Sequence, residues 1–218
     1  MSTTVEADAA SVAILPTPYY QDDAVTIYHG DCREILPALG RFDLLLTDPP
    51  YGIGFAAQPT KWQRKAGIRP TDWDNSTPSK SVFDQLAIAT DCQFIWGGNY
   101  FPLPIARCWL VWTKPDSPPS MGSVEMCWTS LDRPARHMSL SISKTNQERV
   151  GHPTQKPIAL IRWCLSFAPE ATTILDPFAG SCTTGVAAKL EGRKATLIEL
   201  EERYCEIGAN RLSQGVLF

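Results

Sequence analysis

Residues 173–199 read TILDPFAGSCTTGVAAKLEGRKATLIE. An apolar strand, Thr173 to Leu175, runs into a turn of small residues. A helix from Thr183 to Leu190 and a second strand from Ala195 to Glu199 follow. Such a turn leaves free backbone N–H groups at the helix start, where the polar or anionic end of a ligand can approach. Glu199 closes the second strand, a place from which an acid accepts hydrogen bonds from both hydroxyls of a ribose. Turn and acid together point to an adenosine-containing cofactor. The alternation extends outward, with amphipathic helices expected at Gln155 to Phe167 and Glu202 to Leu212. Upstream, strands are expected at Val25 to His29, Gln93 to Trp96, Cys108 to Thr113, Val124 to Trp128 and Met138 to Ile142. Helices are expected at Arg33 to Leu39 and Ser81 to Ala89. Phe42 to Thr47 (FDLLLT) is a continuous apolar run, the pattern of a strand buried on both faces. Alternating apolar strands and amphipathic helices predict an α/β fold, a doubly wound and mostly parallel sheet.

The 218 residues suffice for one core, and 44% hydrophobic with 20% charged residues is the balance of a globular domain. The longest uncharged stretch, Cys92 to Ala106, is cut by Gly97, Gly98, Asn99, Pro102 and Pro104, which excludes a spanning helix of roughly 20 apolar residues. No Lys or Arg precedes Arg33, so no secretory signal is expected. The 7 cysteines form no CxxC pair and read as reduced thiols of a cytoplasmic protein; no metal site is expected. A net charge of −3 confines any nucleic-acid contact to local basic patches. Residues 1–23 read as a loose N-terminal arm, and 24–218 as a single catalytic domain. Within it the long segment 52–80 carries Lys61, Arg64, Lys65 and Arg69, and 130–151 carries Arg133, Arg136 and Arg149.

Two further segments carry chemistry. Asp48-Pro49-Pro50-Tyr51 follows the buried strand directly, at the strand end where open α/β sheets place their sites. Consecutive prolines stiffen the backbone, so the Asp48 carboxylate and the Pro49 carbonyl form a rigid acceptor pair beside an aromatic ring. That arrangement suits a planar amino group; the plainer reading is a proline-rich turn with Asp48 as a cap. His152-Pro153-Thr154-Gln155-Lys156-Pro157 opens a helix, with Thr154 available as its N-cap. Capping leaves His152 and Lys156 without a role.

Together these segments resemble the β-class DNA amino-methyltransferases that use S-adenosylmethionine. DPPY is similar to their catalytic motif, LDPFAGSCTTG to their methionine-end cofactor loop, and HPTQKP to the segment preceding it. Gly30-Asp31-Cys32 is similar to a family segment whose Asp sits near the cofactor adenine. The order of motifs is the family's circularly permuted one, over about Val25 to Leu212.

The resemblance implies a Rossmann-like methyltransferase fold, with Asp48, Pro49, Pro50 and Tyr51 as catalytic residues. It implies cofactor contacts from Asp31, Cys32, His152, Thr154, Lys156, Asp176, Pro177, Phe178, Ala179, Gly180, Ser181, Thr183 and Glu199. DNA and the small-molecule cofactor are the expected partners, with no membrane; a homodimer stays open, as does a restriction-modification role. One departure is Cys182, where the family loop has Gly: if the position needs φ > 0, a side chain crowds the loop.

In the implied chemistry Asp48 and the Pro49 carbonyl accept the amine hydrogens, the nitrogen pyramidalises, and the sulfonium methyl transfers in line. The target base is flipped out or already unpaired, and Tyr51 stacks on it. In the family Asp at the first motif position accompanies adenine more often, and Ser cytosine, so N6 of adenine is expected. N4 of cytosine, an RNA amine, a protein amide and a non-catalytic binding module remain the alternatives.

Overall fold

The computed structural model describes residues 14–54, 74–119, 121–145, 148–150, 152 and 154–214. Nine strands form one sheet: β1 (Tyr20–Gln21), β2 (Val25–His29), β3 (Phe42–Thr47), β4 (Thr90–Trp96), β5 (Trp109–Thr113), β6 (Val124–Thr129), β7 (Arg136–Ser139), β8 (Thr173–Asp176) and β9 (Lys194–Glu199). The spatial order is β1-β2-β9-β8-β3-β4-β6-β5-β7. From β2 to β4 all neighbours are parallel; β6 runs antiparallel to β4 and β5, and β1 antiparallel to β2.

The central strand is the FDLLLT run. Leu44, Leu45 and Leu46 are fully buried, because β3 lies between β8 and β4 with helices over both faces. After β3 the chain crosses one way, through α2 (Lys80–Ala89), to β4. After β8 it crosses the other way, through α5 (Thr183–Leu190), to β9. Two apolar cores result. One packs Leu44, Leu46, Phe94 and Trp96 with α4 (Ile158–Leu165), α5 and α6 (Glu202–Ser213). The other packs Leu45, Ile95 and Leu175 with α1 (Cys32–Ile35) and α2. The strand order reverses between β3 and β8, so their carboxyl ends face a crevice where such sheets bind ligands.

Several expected elements end elsewhere. The helix expected from Gln155 begins at Ile158, with Pro157 extended at its N-cap (ψ 143°), so Thr154 is not the cap. Pro157 disfavours helical geometry at Lys156, which keeps 154–156 outside the helix and free to line the crevice. The strand expected at Met138 to Ile142 lies at Arg136–Ser139, because Ile142 opens a short helix, α3 (Ile142–Thr145), instead. Asp116 fixes that turn by accepting from the backbone N–H groups of Ile142 and Ser143 and from the Ser141 hydroxyl. The helix expected over 33–39 splits into α1 and a 3-10 turn, Leu36–Ala38, that contains Pro37. The N-terminal arm is pinned before Asp23: Tyr20–Gln21 pairs with β2, and Asp22 accepts from the Ala24 and Val25 N–H groups and pairs with Lys189.

Candidate active site

A cavity of about 800 Å³ opens at the carboxyl ends of β3 and β8. Asp48 leaves β3 into it. The Tyr51 hydroxyl donates to Asp48 Oδ1 at 2.6 Å, and the Lys156 ammonium pairs with Oδ2. The expected turn is further stiffened by Asp74, whose Oδ1 accepts from the N–H groups of Tyr51 (2.9 Å) and Gly52 (3.0 Å). Asp74 thus ties the Asp48–Tyr51 turn to the far end of the segment that leaves it. The Tyr51 ring stacks on Tyr100, with centroids 4.9 Å apart and planes 10° from parallel. Gly97, at φ 68°, lies against the same ring so closely that any side chain there would overlap it.

Lys156 was expected at the cofactor; the structure pairs it with the Asp48 carboxylate. Its Nζ also lies 3.1 Å from Glu125 Oε2, and Lys114 holds the other Glu125 oxygen. Both lysines are buried. Burial disfavours the Lys156 ammonium, but Asp48 and Glu125 outweigh it and its pKa rises. Burial likewise opposes ionisation of Glu125, which Lys156 and Lys114 overcome, holding it down at about 2. For Asp48 burial wins over Lys156, and the carboxyl is raised above its ordinary value.

The cofactor-like loop sits across the cavity. Gly180 has φ 51°, and a Cβ there would lie 2.9 Å from His152 Nε2. His152 is buried with its ring 4.4 Å from Tyr204 and is held neutral, its pKa pushed down to about 3 by burial and neighbouring cations. Thr154 donates its N–H to His152 Nδ1 at 3.3 Å. Glu199 was expected to face a ribose. Its oxygens accept from the Gly180 N–H (2.6 Å) and the Glu201 N–H (2.8 Å), bracing the loop. A carboxylate has about four lone-pair sites, so further acceptor capacity remains toward the cavity that Glu199 lines. Burial pushes its pKa up to about 7.

Asp176 accepts from Thr47 Oγ1 (2.7 Å) and the Phe178 N–H (3.1 Å), stitching β8 to β3 at the reversal point. Burial raises it to about 6. Pro177, Phe178, Ala179, Ser181 and Thr183 line the cavity beyond it. Asp31 caps α1 through the Arg33 N–H and pairs with the Arg33 guanidinium, with Cys32 buried at the cavity edge.

The crowding expected of Cys182 is resolved from outside the loop. Cys182 does adopt a left-handed φ of 61°, but its buried side chain packs against Gly208 of α6, where no Cβ could fit. The cavity wall does not include it. Arg211, also on α6, braces the loop by donating to the Ser181 carbonyl and to the Ser181 (3.3 Å) and Thr183 (3.2 Å) hydroxyls.

The basic residues divide. Arg149 is half-buried in the cavity wall. Arg136 starts β7, the edge strand four places from β3 in the sheet, and therefore lies away from Asp48. Exposed Arg133 lies over the Phe167 ring beyond the end of α4. The structure does not bring these two to the site. Lys61, Arg64, Lys65 and Arg69 lie outside the described residues. Sequence reasoning missed Glu125, Lys114, Asp74 and Arg211. The available signal was a charge within or directly after an apolar strand: VEMCWT holds Glu125, and WLVWT precedes Lys114.

Comparison with known proteins agrees with this geometry. The chain is 25% identical to the Type II methyltransferase M2.LlaDCHI of Lactococcus lactis subsp. cremoris, over 94% of this chain and 95% of the relative. It is 47% identical to the DNA adenine methyltransferase YhdJ of Escherichia coli (strain K12) over 66 residues, 30% of this chain and 22% of the relative. The fold is that of the M1.HpyAVI–SAM complex (TM-score 0.60, 21% identity, 86% of this chain and 98% of that one). It is equally that of the cytosine-N4-specific PvuII DNA methyltransferase (TM-score 0.59, 19% identity, 92% and 90%). Residues 91–210, which hold Glu125, Lys156, the cofactor-like loop and Glu199, match the DNA methylase family model, and the chain belongs to this family of N6/N4 DNA amino-methyltransferases.

Proposed function

We propose that the chain methylates N6 of adenine in DNA, with S-adenosylmethionine as methyl donor and Asp48 as the acceptor of the amine hydrogens. The observation that carries this reading is the Asp48 carboxylate at the end of β3, held by Tyr51 and Lys156 across one cavity from the Gly180 loop. The cavity's size suits a nucleoside cofactor together with a base. The fit of the cofactor rests on three features of the loop. Gly180 has no room for a side chain, Glu199 is a buried acid at the cavity wall, and Ser181 and Thr183 are braced from behind by Arg211. The pocket from Asp176 to Thr183, with Glu199 and His152, would hold it, and the strand end at Asp31 and Cys32 would face its base. When bound, the cofactor supplies an electrophilic methyl.

The chain's own residues do the rest. Asp48 accepts a hydrogen from the exocyclic amine, which lets the nitrogen lone pair turn out of ring conjugation. The Tyr51–Tyr100 pair offers the stacking surface for a base turned out of its strand. Arg149 supplies positive charge at the wall, and Lys61, Arg64, Lys65 and Arg69 are the candidates for phosphate contact.

The choice of adenine is supported by Asp at the first motif position and by the named activity of the YhdJ relative. Nucleoside analysis of DNA methylated by the purified chain tests it. N6-methyladenine is expected; N4-methylcytosine as the product would overturn the adenine assignment while leaving the role of Asp48 intact.

A further inference from the structure

Starting from Asp48, four charges alternate through the cavity wall: Asp48, Lys156, Glu125 and Lys114. They come from the end of β3, the turn before α4, β6 and the end of β5. Nothing in local sequence explains their meeting. Lys156 Nζ also lies over the Trp96 and Tyr51 rings, 5.6 and 5.7 Å from their centroids. With all four ionised the group is neutral.

A lone ammonium against Asp48 would have two opposed effects. It would keep the carboxylate charged in a buried place, and it would weaken that carboxylate as a proton acceptor. Glu125 meets the same ammonium, with Oε2 at 3.1 Å. We propose that Glu125 is a positioning residue for methyl transfer: gripped by Lys114, it anchors the Lys156 ammonium and offsets its charge, leaving Asp48 able to take the amine proton. The proposal rests on the reading of Asp48 given above. In the step concerned the amine N–H bond breaks with its electron pair left on nitrogen, and an O–H bond forms at Asp48. The group then carries one positive charge, against two if Glu125 were neutral, so Glu125 eases the transfer.

Other titratable groups face this array. Asp48 faces Tyr51, Cys127 and Asp176; Lys156 faces His152 and Cys164; Glu125 faces Arg149. They are common to every variant below, so differences between variants report the array itself.

The test is a pH titration of the full-length chain followed by 13C NMR of its carboxyl carbons, with the Asp48 signal assigned from its absence in Asp48→Asn. In Glu125→Gln, Asp48 should titrate lower by about one pH unit, tenfold in proton affinity. In Lys114→Met it should titrate higher by a similar amount. Glu125→Asp, which keeps the charge, should stay close to the wild type and shows whether loss of packing alone matters. The acid limb of the kcat profile should move in the same directions, with KM for DNA little changed. An Asp48 titration that stays put in both charge variants, or moves the same way in both, overturns the proposal. Absence of methyl transfer by the wild type would instead count against the functional reading, and the titration still decides the role of Glu125.

Discussion

The two sides of the cavity are built differently. The cofactor-like side is built around one run of chain, Asp176 to Glu201, whose acids are met largely by backbone donors: the Gly180 and Glu201 N–H groups on Glu199 and the Phe178 N–H on Asp176. The side proposed as catalytic is assembled from β3, β5, β6 and the turn before α4, and is held by side-chain charges at long range. Backbone bracing tolerates change in side chains that only fill space. A buried charge array does not, because removing one member strands its partner.

The largest difference should appear in Lys156→Met. The substitution keeps much of the side-chain volume, but it leaves Asp48 and one side of Glu125 facing no cation, costing about 3–5 kcal/mol of stability. Because the unpaired Asp48 is misplaced and protonated more readily, kcat should fall by about 10²–10⁴. Denaturant unfolding and single-turnover rates measure the two losses. A variant that is stable and active would mean that the catalytic side is not organised by charge.

On the other side Glu199 gives a pH signature. Its folded pKa of about 7 stands above its ordinary 4.5, so the folded state binds the proton more tightly than the unfolded one. Stability should therefore fall as pH rises from about 4.5 to about 7, by an amount on the order of 3 kcal/mol from this group. Asp176, raised to about 6 from 3.8, acts in the same direction at lower pH. Glu199→Gln should flatten the 4.5–7 part of the curve while the Gly180 N–H keeps an acceptor in the amide oxygen. Urea midpoints across this range, wild type against variant, sharpen the contrast with Lys156→Met, whose cost should be large at pH 7.

A smaller effect is expected at the back of the loop. Gly208→Ala should cost about 1–3 kcal/mol, because the new methyl meets the Cys182 side chain. Combined with Cys182→Gly, which also relieves the left-handed strain, most of that cost should vanish. A thermal-melt double-mutant cycle measures the coupling; additive effects would show that the two residues do not compete for one space.

The smallest effect should come from Arg133→Ala with Arg136→Ala. Neither lines the cavity, Arg136 sitting on the edge strand β7 four places from β3 and Arg133 over the Phe167 ring, so DNA affinity and its salt slope should hardly change, whereas Arg149→Ala should weaken binding. Fluorescence anisotropy over a salt series separates the two cases.

Legibility in the sequence follows the same division. The loop side could be read because strand, turn, helix and acid are consecutive, and the strand–helix alternation from Thr173 onward matched the fold almost element by element. Even there the acid's bonds differed: Glu199 braces Gly180, a contact that depends on where the loop folds back. On the catalytic side only DPPY was legible, since its motif is local. Its partners come from separate strands, and which partners meet depends on β6 turning back antiparallel beside β4, a pairing no local pattern specifies. Lys156 was noticed but given to the cofactor, because Pro157 and the late start of α4, which aim it at Asp48, are tertiary facts. Asp74 stands at the far end of a long segment, and only the folded chain brings it to Tyr51.

The central claim is that Asp48, not merely the cavity around it, carries methyl transfer. Asp48→Ala should lower the single-turnover rate of methyl transfer to DNA by about 10²–10⁴ while S-adenosylmethionine binding, measured by calorimetry, stays within a few fold of the wild type. Methyl transfer at an undiminished rate in that variant would contradict the account.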